Sequence, residues 1–134
     1  MTQGYETYKA VQAQTATRAE LVGMLYEGAI RFLHHTAREL EERNLEMAHA
    51  SLVKAHRIIE ELQMSIDRQQ GPVADGLNAL YAFLLRELEV ANVRKDRQKV
   101  LAAAAFLGEL LAAWQGATGA RRGEARIPTS RLSV

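Results

Sequence analysis

The stretch from Ala48 to Ile66, AHASLVKAHRIIEELQMSI, decides the fold. Its apolar residues Ala48, Leu52, Ala55, Ile59, Leu62 and Ile66 recur at alternating steps of four and three, the spacing that lines up side chains on one face of an α-helix. The same rhythm runs through Leu21, Leu25, Ala29, Phe32, Thr36 and Leu40 on its N-terminal side. It returns in Leu77, Tyr81, Leu84, Leu88 and Ala91, and again in Val100, Ala104, Leu107, Leu111 and Trp114. Four apolar seams joined by short links predict an all-α protein, an antiparallel four-helix bundle.

Local signals mark the ends of these helices. Thr17 and Glu20 have the spacing of a capping box, in which the hydroxyl and the carboxylate each satisfy a backbone N–H that the first turn leaves free. The first helix is expected over Arg18–Arg43, with Asn44 stopping it and capping a second that runs to about Gln69. Gly71-Pro72 forces a turn, the third helix covers Val73–Val93, and Asp96 caps a fourth that ends near Gly116. This divides the chain into a flexible N-terminal arm (1–16), the bundle (17–116) and a disordered basic tail (117–134) broken by Gly119, Gly123 and Pro128.

With 134 residues, 48% apolar and 25% charged, the chain can bury an independent core, and the absence of cysteine excludes disulfide scaffolds and thiolate metal sites. Seventeen basic against sixteen acidic residues leave a net charge of +1, too little to steer the whole molecule onto nucleic acid or an acidic membrane. The tail, with four Arg and one Glu, carries +3, and the remainder carries −2. Charge-free stretches such as Val100–Gly108 fall short of the ~20 apolar residues of a membrane span. Glu6 and Lys9 interrupt any apolar core of the kind a signal peptide has. The expectation is a cytoplasmic protein without membrane insertion.

No catalytic constellation is visible. A dimetal bundle needs Glu-x-x-His twice, and here only Glu46 and His49 have that spacing, so a metal-binding bundle enzyme would lack half its ligands. His49 and His56 are simpler to read as rings packed beside the core seam with one nitrogen in water. His34-His35 beside Thr36 resembles a nucleophile and base only in composition, because neighbouring helix residues point in different directions. The basic run Arg94-Lys95-Asp96-Arg97-Gln98-Lys99 has no aromatic residue for base stacking, and a solvated turn accounts for it without nucleic acid. No metal or cofactor is expected.

The informative feature is more apolar residues than four seams can use. Met24, Tyr26 and Ile30 on the first helix point away from its seam, as do Val53 and Met64 on the second. Phe83, Val90 and Val93 on the third, and Phe106 and Leu110 on the fourth, do the same. Either the core faces are wider than the seams, or these stripes are external grooves covered by another segment. A second copy of the chain could also cover them, which would make the protein a self-associating helical adaptor or homodimer. Tyr5 and Tyr8 in the arm have large rings and no core position.

Tyr5-x-x-Tyr8, Thr15-Ala16-Thr17, Leu21-x-x-Met24-Leu25-Tyr26-Glu27-Gly28-Ala29, Ala55-x-x-Ile58-Ile59-x-Glu61-Leu62, Asn78-x-x-Tyr81, Leu88-x-x-Ala91-Asn92 and Trp114 follow one another in order. In this order and spacing the chain, over about residues 4–116, resembles the flagellin-specific export chaperone family, FliS. Arg18 departs from the small residue or proline that many members have at the helix start, which bears on capping. The resemblance implies a non-enzymatic cytoplasmic bundle that binds the disordered C-terminal segment of flagellin and prevents premature polymerisation. It also implies delivery to the type III export gate through the cytoplasmic domain of FlhA, with an anti-sigma factor or co-chaperone as a further partner. The N-terminal tyrosine segment of the family, here Tyr5 and Tyr8, is implied to act as a lid over the binding surface. Joined to the surplus stripes, it makes Tyr26, Ile30, Val53, Phe83, Val90, Phe106 and Leu110 the candidate client-binding residues.

Overall fold

The computed structural model describes residues 16–67 and 71–119. They form α1 (Arg18–Glu41), α2 (Leu45–Asp67), α3 (Pro72–Arg94) and α4 (Arg97–Thr118), close to the expected boundaries. The capping box is present: the Thr17 hydroxyl accepts from the Glu20 amide at 3.1 Å, and the Glu20 carboxylate accepts from the Thr17 amide at 3.0 Å. A cap of this kind stabilises a helix start by about 1 kcal/mol.

The turns are short because each contains a residue that leaves helical geometry. α1 stops two residues earlier than expected, Arg43 takes φ 63°, and the Asn44 amide closes the turn by donating to the Glu39 carbonyl at 2.8 Å. Gly71, at φ 134°, is in a region that strains any residue with a Cβ. Pro72 follows at the first helical position, where a missing N–H loses nothing. Between α3 and α4, Lys95 is left-handed and the Asp96 carboxylate accepts from the Lys99 amide at 3.1 Å. α4 runs two residues beyond Gly116 to a left-handed Gly119.

Each helix packs antiparallel on its neighbour in sequence, and α4 closes the ring against α1. The α1–α2 seam is the most extensive and the α3–α4 seam the least. The core holds Leu33, Ile59, Leu62, Leu88, Val100 and Leu107, all buried. On α2 every residue of the expected seam is buried, and on α3 Tyr81, Leu84, Leu88 and Ala91 are, with Leu77 half-buried.

On α1 the structure corrects the expectation. The inward residues are Tyr26, Ala29, Leu33, Thr36, Ala37 and Leu40, whereas Leu21 is exposed and Leu25 and Phe32 are half-buried. Tyr26, expected on an outer stripe, is 2% exposed. Two circumstances select this rotation. A Cβ on Gly28 would stand 3.4 Å from Ile58 Cδ1, so α2 lies close to that side of α1. The Tyr26 hydroxyl, which could not be buried unpaired, is hydrogen-bonded to that of Tyr81.

α4 also differs from expectation. By length and composition alone it is apolar enough to cross a membrane. A core helix gives the same signature, and Val100, Ala103, Ala104 and Leu107 are buried against the other helices. Most of the remaining hydropathy comes from Leu101, Phe106, Leu110 and Leu111, which are only half-buried, with the exposed Ala102, Ala105, Ala112 and Ala113 adding less.

Candidate functional site

The apolar surplus gathers between α3 and α4. Lys99 Nζ on α4 lies 2.7 Å from Glu87 Oε1 on α3, so the faces carrying these two residues look at each other. On α3, Phe83 is four residues before Glu87, Leu80 seven before and Val90 three after, all on the Glu87 face. On α4, Phe106 and Leu110 follow Lys99 by seven and eleven residues and share its face. Phe83 is 48% exposed and Val90 and Leu80 each 37%, while Phe106 and Leu110 are half-buried against the core. Covering a large apolar side chain completely is worth roughly 1.5–3 kcal/mol, so half-exposed chains in this number offer several kcal/mol to a segment that fills the groove.

Four candidates, Phe83, Val90, Phe106 and Leu110, therefore share one groove. Leu80 joins them, and so does Val73 seven residues further back. The spacing of Val73, Leu80 and Glu87 was the signal that could have added both.

The remaining candidates lie elsewhere. Val53 sits with Leu52, His56, Arg57, Glu60, Glu89 and Asn92 in a separate hollow of about 270 Å3 between α2 and α3. Polar side chains pair around it: His56 Nε2 is 3.2 Å from Glu89, His56 Nδ1 is 3.7 Å from Glu60, and the Asn92 amide meets His49 Nδ1 at 2.9 Å. Ile30 is half-buried against the core. It is seven residues from both Gly23, beside Leu111, and Ala37, whose carbonyl accepts from Arg97, so it faces the α1–α4 seam. Tyr5 and Tyr8 lie outside the described residues.

Tyr26 and Tyr81 border an apolar cavity of about 260 Å3 at the end of the bundle where α1 begins. All four helices line it, through Val22, Leu62, Leu77 and Trp114 among others. Trp114 Nε1 is fixed by donating to the Ala19 carbonyl at 3.0 Å. The two phenol rings are tilted by 51° with centroids 6.4 Å apart. Burial raises both hydroxyls above the ordinary tyrosine value of 10.0; their hydrogen bond raises Tyr81 further and partly offsets the rise at Tyr26. A neutral buried pair of this kind packs and orients; it has no reason to exchange protons near neutral pH.

The basic turn is largely internally paired. Arg97 reaches Glu41 at 3.5 Å and the Ala37 carbonyl at 3.3 Å, and Lys95 donates to Asn92 at 3.0 Å. Among the described residues, no group of three or more His, Asp or Glu is placed to hold a metal ion.

A family model described as "Flagellar protein FliS" matches residues 1–121. A flagellar secretion chaperone FliS from Bacillus subtilis (strain 168) is 29% identical over 118 residues, covering 88% of each chain. One from Escherichia coli (strain K12) is 31% identical over 103 residues, covering 75% of this chain and 76% of the relative. The protein of the same name from Salmonella typhimurium is 29% identical over 118 residues, covering 84% of this chain and 87% of the relative.

Proposed function

This chain belongs to the FliS family of flagellar proteins, export chaperones and not enzymes, and on that premise we propose that it holds the C-terminal segment of flagellin in the α3–α4 groove. The observation that carries this reading is the set of incompletely buried apolar side chains on the two faces that meet at the Glu87–Lys99 pair, Phe83 and Val90 on α3 and Phe106 and Leu110 on α4. A segment that is disordered alone has its apolar face free to pair with other flagellin molecules; folded into this groove as an amphipathic helix, that face is occupied. Ile30 and Val53 extend the contact surface of a client that wraps beyond the groove, whereas Tyr26, buried in the core, supports the bundle and does not touch the client. The holdase acts in the cytoplasm, delivers its client to the export gate through FlhA, and has the tyrosine segment with Tyr5 and Tyr8 over the surface until the client arrives.

Titrating flagellin into the Phe83→Ser/Phe106→Ser variant tests the groove. Affinity is expected to fall at least tenfold, about 1.4 kcal/mol, while helicity and melting temperature remain close to wild type. Undiminished binding refutes the groove. In the same titration, deleting residues 1–14 is expected to raise the association rate, because a larger fraction of molecules has an open site; an unchanged or lower rate removes the lid.

A further inference from the structure

The apolar groove between α3 and α4 is crossed by one ion pair. Glu87 lies on the same α3 stripe as Phe83 and Val90, between them, and its carboxylate meets Lys99 across the seam. Both side chains are about one-third exposed, 33% for Glu87 and 34% for Lys99, so each keeps part of its contact with water.

A helix laid over Phe83 and Val90 cannot avoid this pair, because the three residues occupy consecutive turns of α3 within roughly 11 Å of helix axis. It would strip the remaining water from a carboxylate with spare lone pairs and an ammonium with three donors, only one of which points at Glu87. An apolar residue over the pair would leave those groups unsatisfied. A carboxylate would satisfy Lys99 and be repelled by Glu87, and an ammonium would do the reverse. A carboxamide meets both, its carbonyl accepting from Lys99 and its NH2 donating to Glu87, without adding charge.

We infer that Glu87 and Lys99 form the register pin of the groove, selecting a partner helix that places an Asn or Gln side chain over the pair, flanked three or four residues to either side by apolar anchors. The inference rests on the α3–α4 groove being the client site, and it adds what sets the client's register there. A continuous apolar groove would let a helix slide by a turn at little cost; one fixed polar point removes that freedom, as a single buried polar residue does in a coiled coil.

Three variants titrated with purified flagellin from the same organism test it: Lys99→Met, Glu87→Met, and the charge-swapped Glu87→Lys/Lys99→Glu. Each single variant is expected to bind at least tenfold more weakly, and the swap to bind within threefold of wild type, since a carboxamide can turn over and meet the reversed pair. Melting curves establish that each variant is folded. Binding by the single variants that equals or exceeds wild type overturns the pin. Weak binding by the swap as well as by both singles shows a charged group over the pair and overturns the carboxamide. Phe83→Asp separates the two levels: if it binds as wild type the groove itself is wrong, whereas its failure beside unaffected Glu87 and Lys99 variants leaves the groove standing and removes only the pin.

Discussion

The two flanks of the bundle are built from similar residues and end in different states. Along α1–α2, Gly28 admits Ile58, the half-buried Phe32 ring has Arg31 5.8 Å and Lys54 5.5 Å from its centroid, and the His35 ring meets its edge. Along α3–α4 the helices meet over the least extensive seam, and Phe83, Leu80 and Val90 stay open to water around one ion pair. Apolar content alone therefore does not say whether a helix face serves stability or binding. What separates the flanks is whether the facing helix comes close enough, and carries the right atoms, to finish the surface.

Breaking this comparison starts in the core. Leu33→Ala should lower the unfolding free energy by about 2–5 kcal/mol, because Leu33 is wholly buried and its loss leaves a cavity. Leu80→Ala, the same truncation on the open flank, should cost less than about 1 kcal/mol, since much of that side chain is already wet. Equal costs in urea titrations would mean that the α3–α4 flank is as closed in solution as the other.

Next in size is the tyrosine pair. Tyr81→Phe strands the Tyr26 hydroxyl in a buried place and should destabilise by about 1–3 kcal/mol, whereas Tyr26→Phe/Tyr81→Phe should lie nearer to wild type, because no polar group is left unpaired. The pair also fixes a sign in pH. Because the folded values are raised, the protonated phenols stabilise the fold at all pH values below the unfolded value of 10.0, and that contribution is lost as pH rises beyond it. The double phenylalanine variant should blunt this alkaline loss; a wild-type stability profile that stays flat from pH 9 to 11.5 would contradict it.

The smallest effect compares two glycines. A Cβ at Gly76, on the open α3 face, would meet nothing within 4 Å, so Gly76→Ala should stabilise by about 0.5–1 kcal/mol through helix propensity. At Gly28 the new methyl would meet the tip of the Ile58 side chain at 3.4 Å, which must give slightly, so the gain should be smaller. Similar melting shifts for both variants would argue that the α1–α2 seam is looser than its geometry implies.

Most of the fold was legible because its signals are local. The Thr17–Glu20 box, the Gly71-Pro72 turn and the Asp96 cap each act within four residues, and each is found where the sequence put it. The site was legible in part. The surplus of apolar residues on α3 and α4 could be counted, and Phe83, Val90, Phe106 and Leu110 do share a seam. Tyr26 was misplaced because two neighbouring rows on α1, Leu21-Leu25-Ala29-Phe32 and Tyr26-Ala29-Leu33-Ala37, share Ala29 and both have helical spacing, so periodicity alone did not choose the inward one.

From the chain alone come four amphipathic helices, their caps and turns, and the presence of more apolar surface than a bundle seam needs, since these depend on backbone hydrogen bonding and spacing among near neighbours. The assembled bundle alone decided how far each helix is rotated about its axis. That rotation brought Tyr26 to Tyr81, 55 residues away, and set Glu87 against Lys99, 12 residues away. Such choices belong to side chains that meet only after the helices pack, where a hydroxyl must find a partner and a missing Cβ leaves room for a neighbouring helix's side chain.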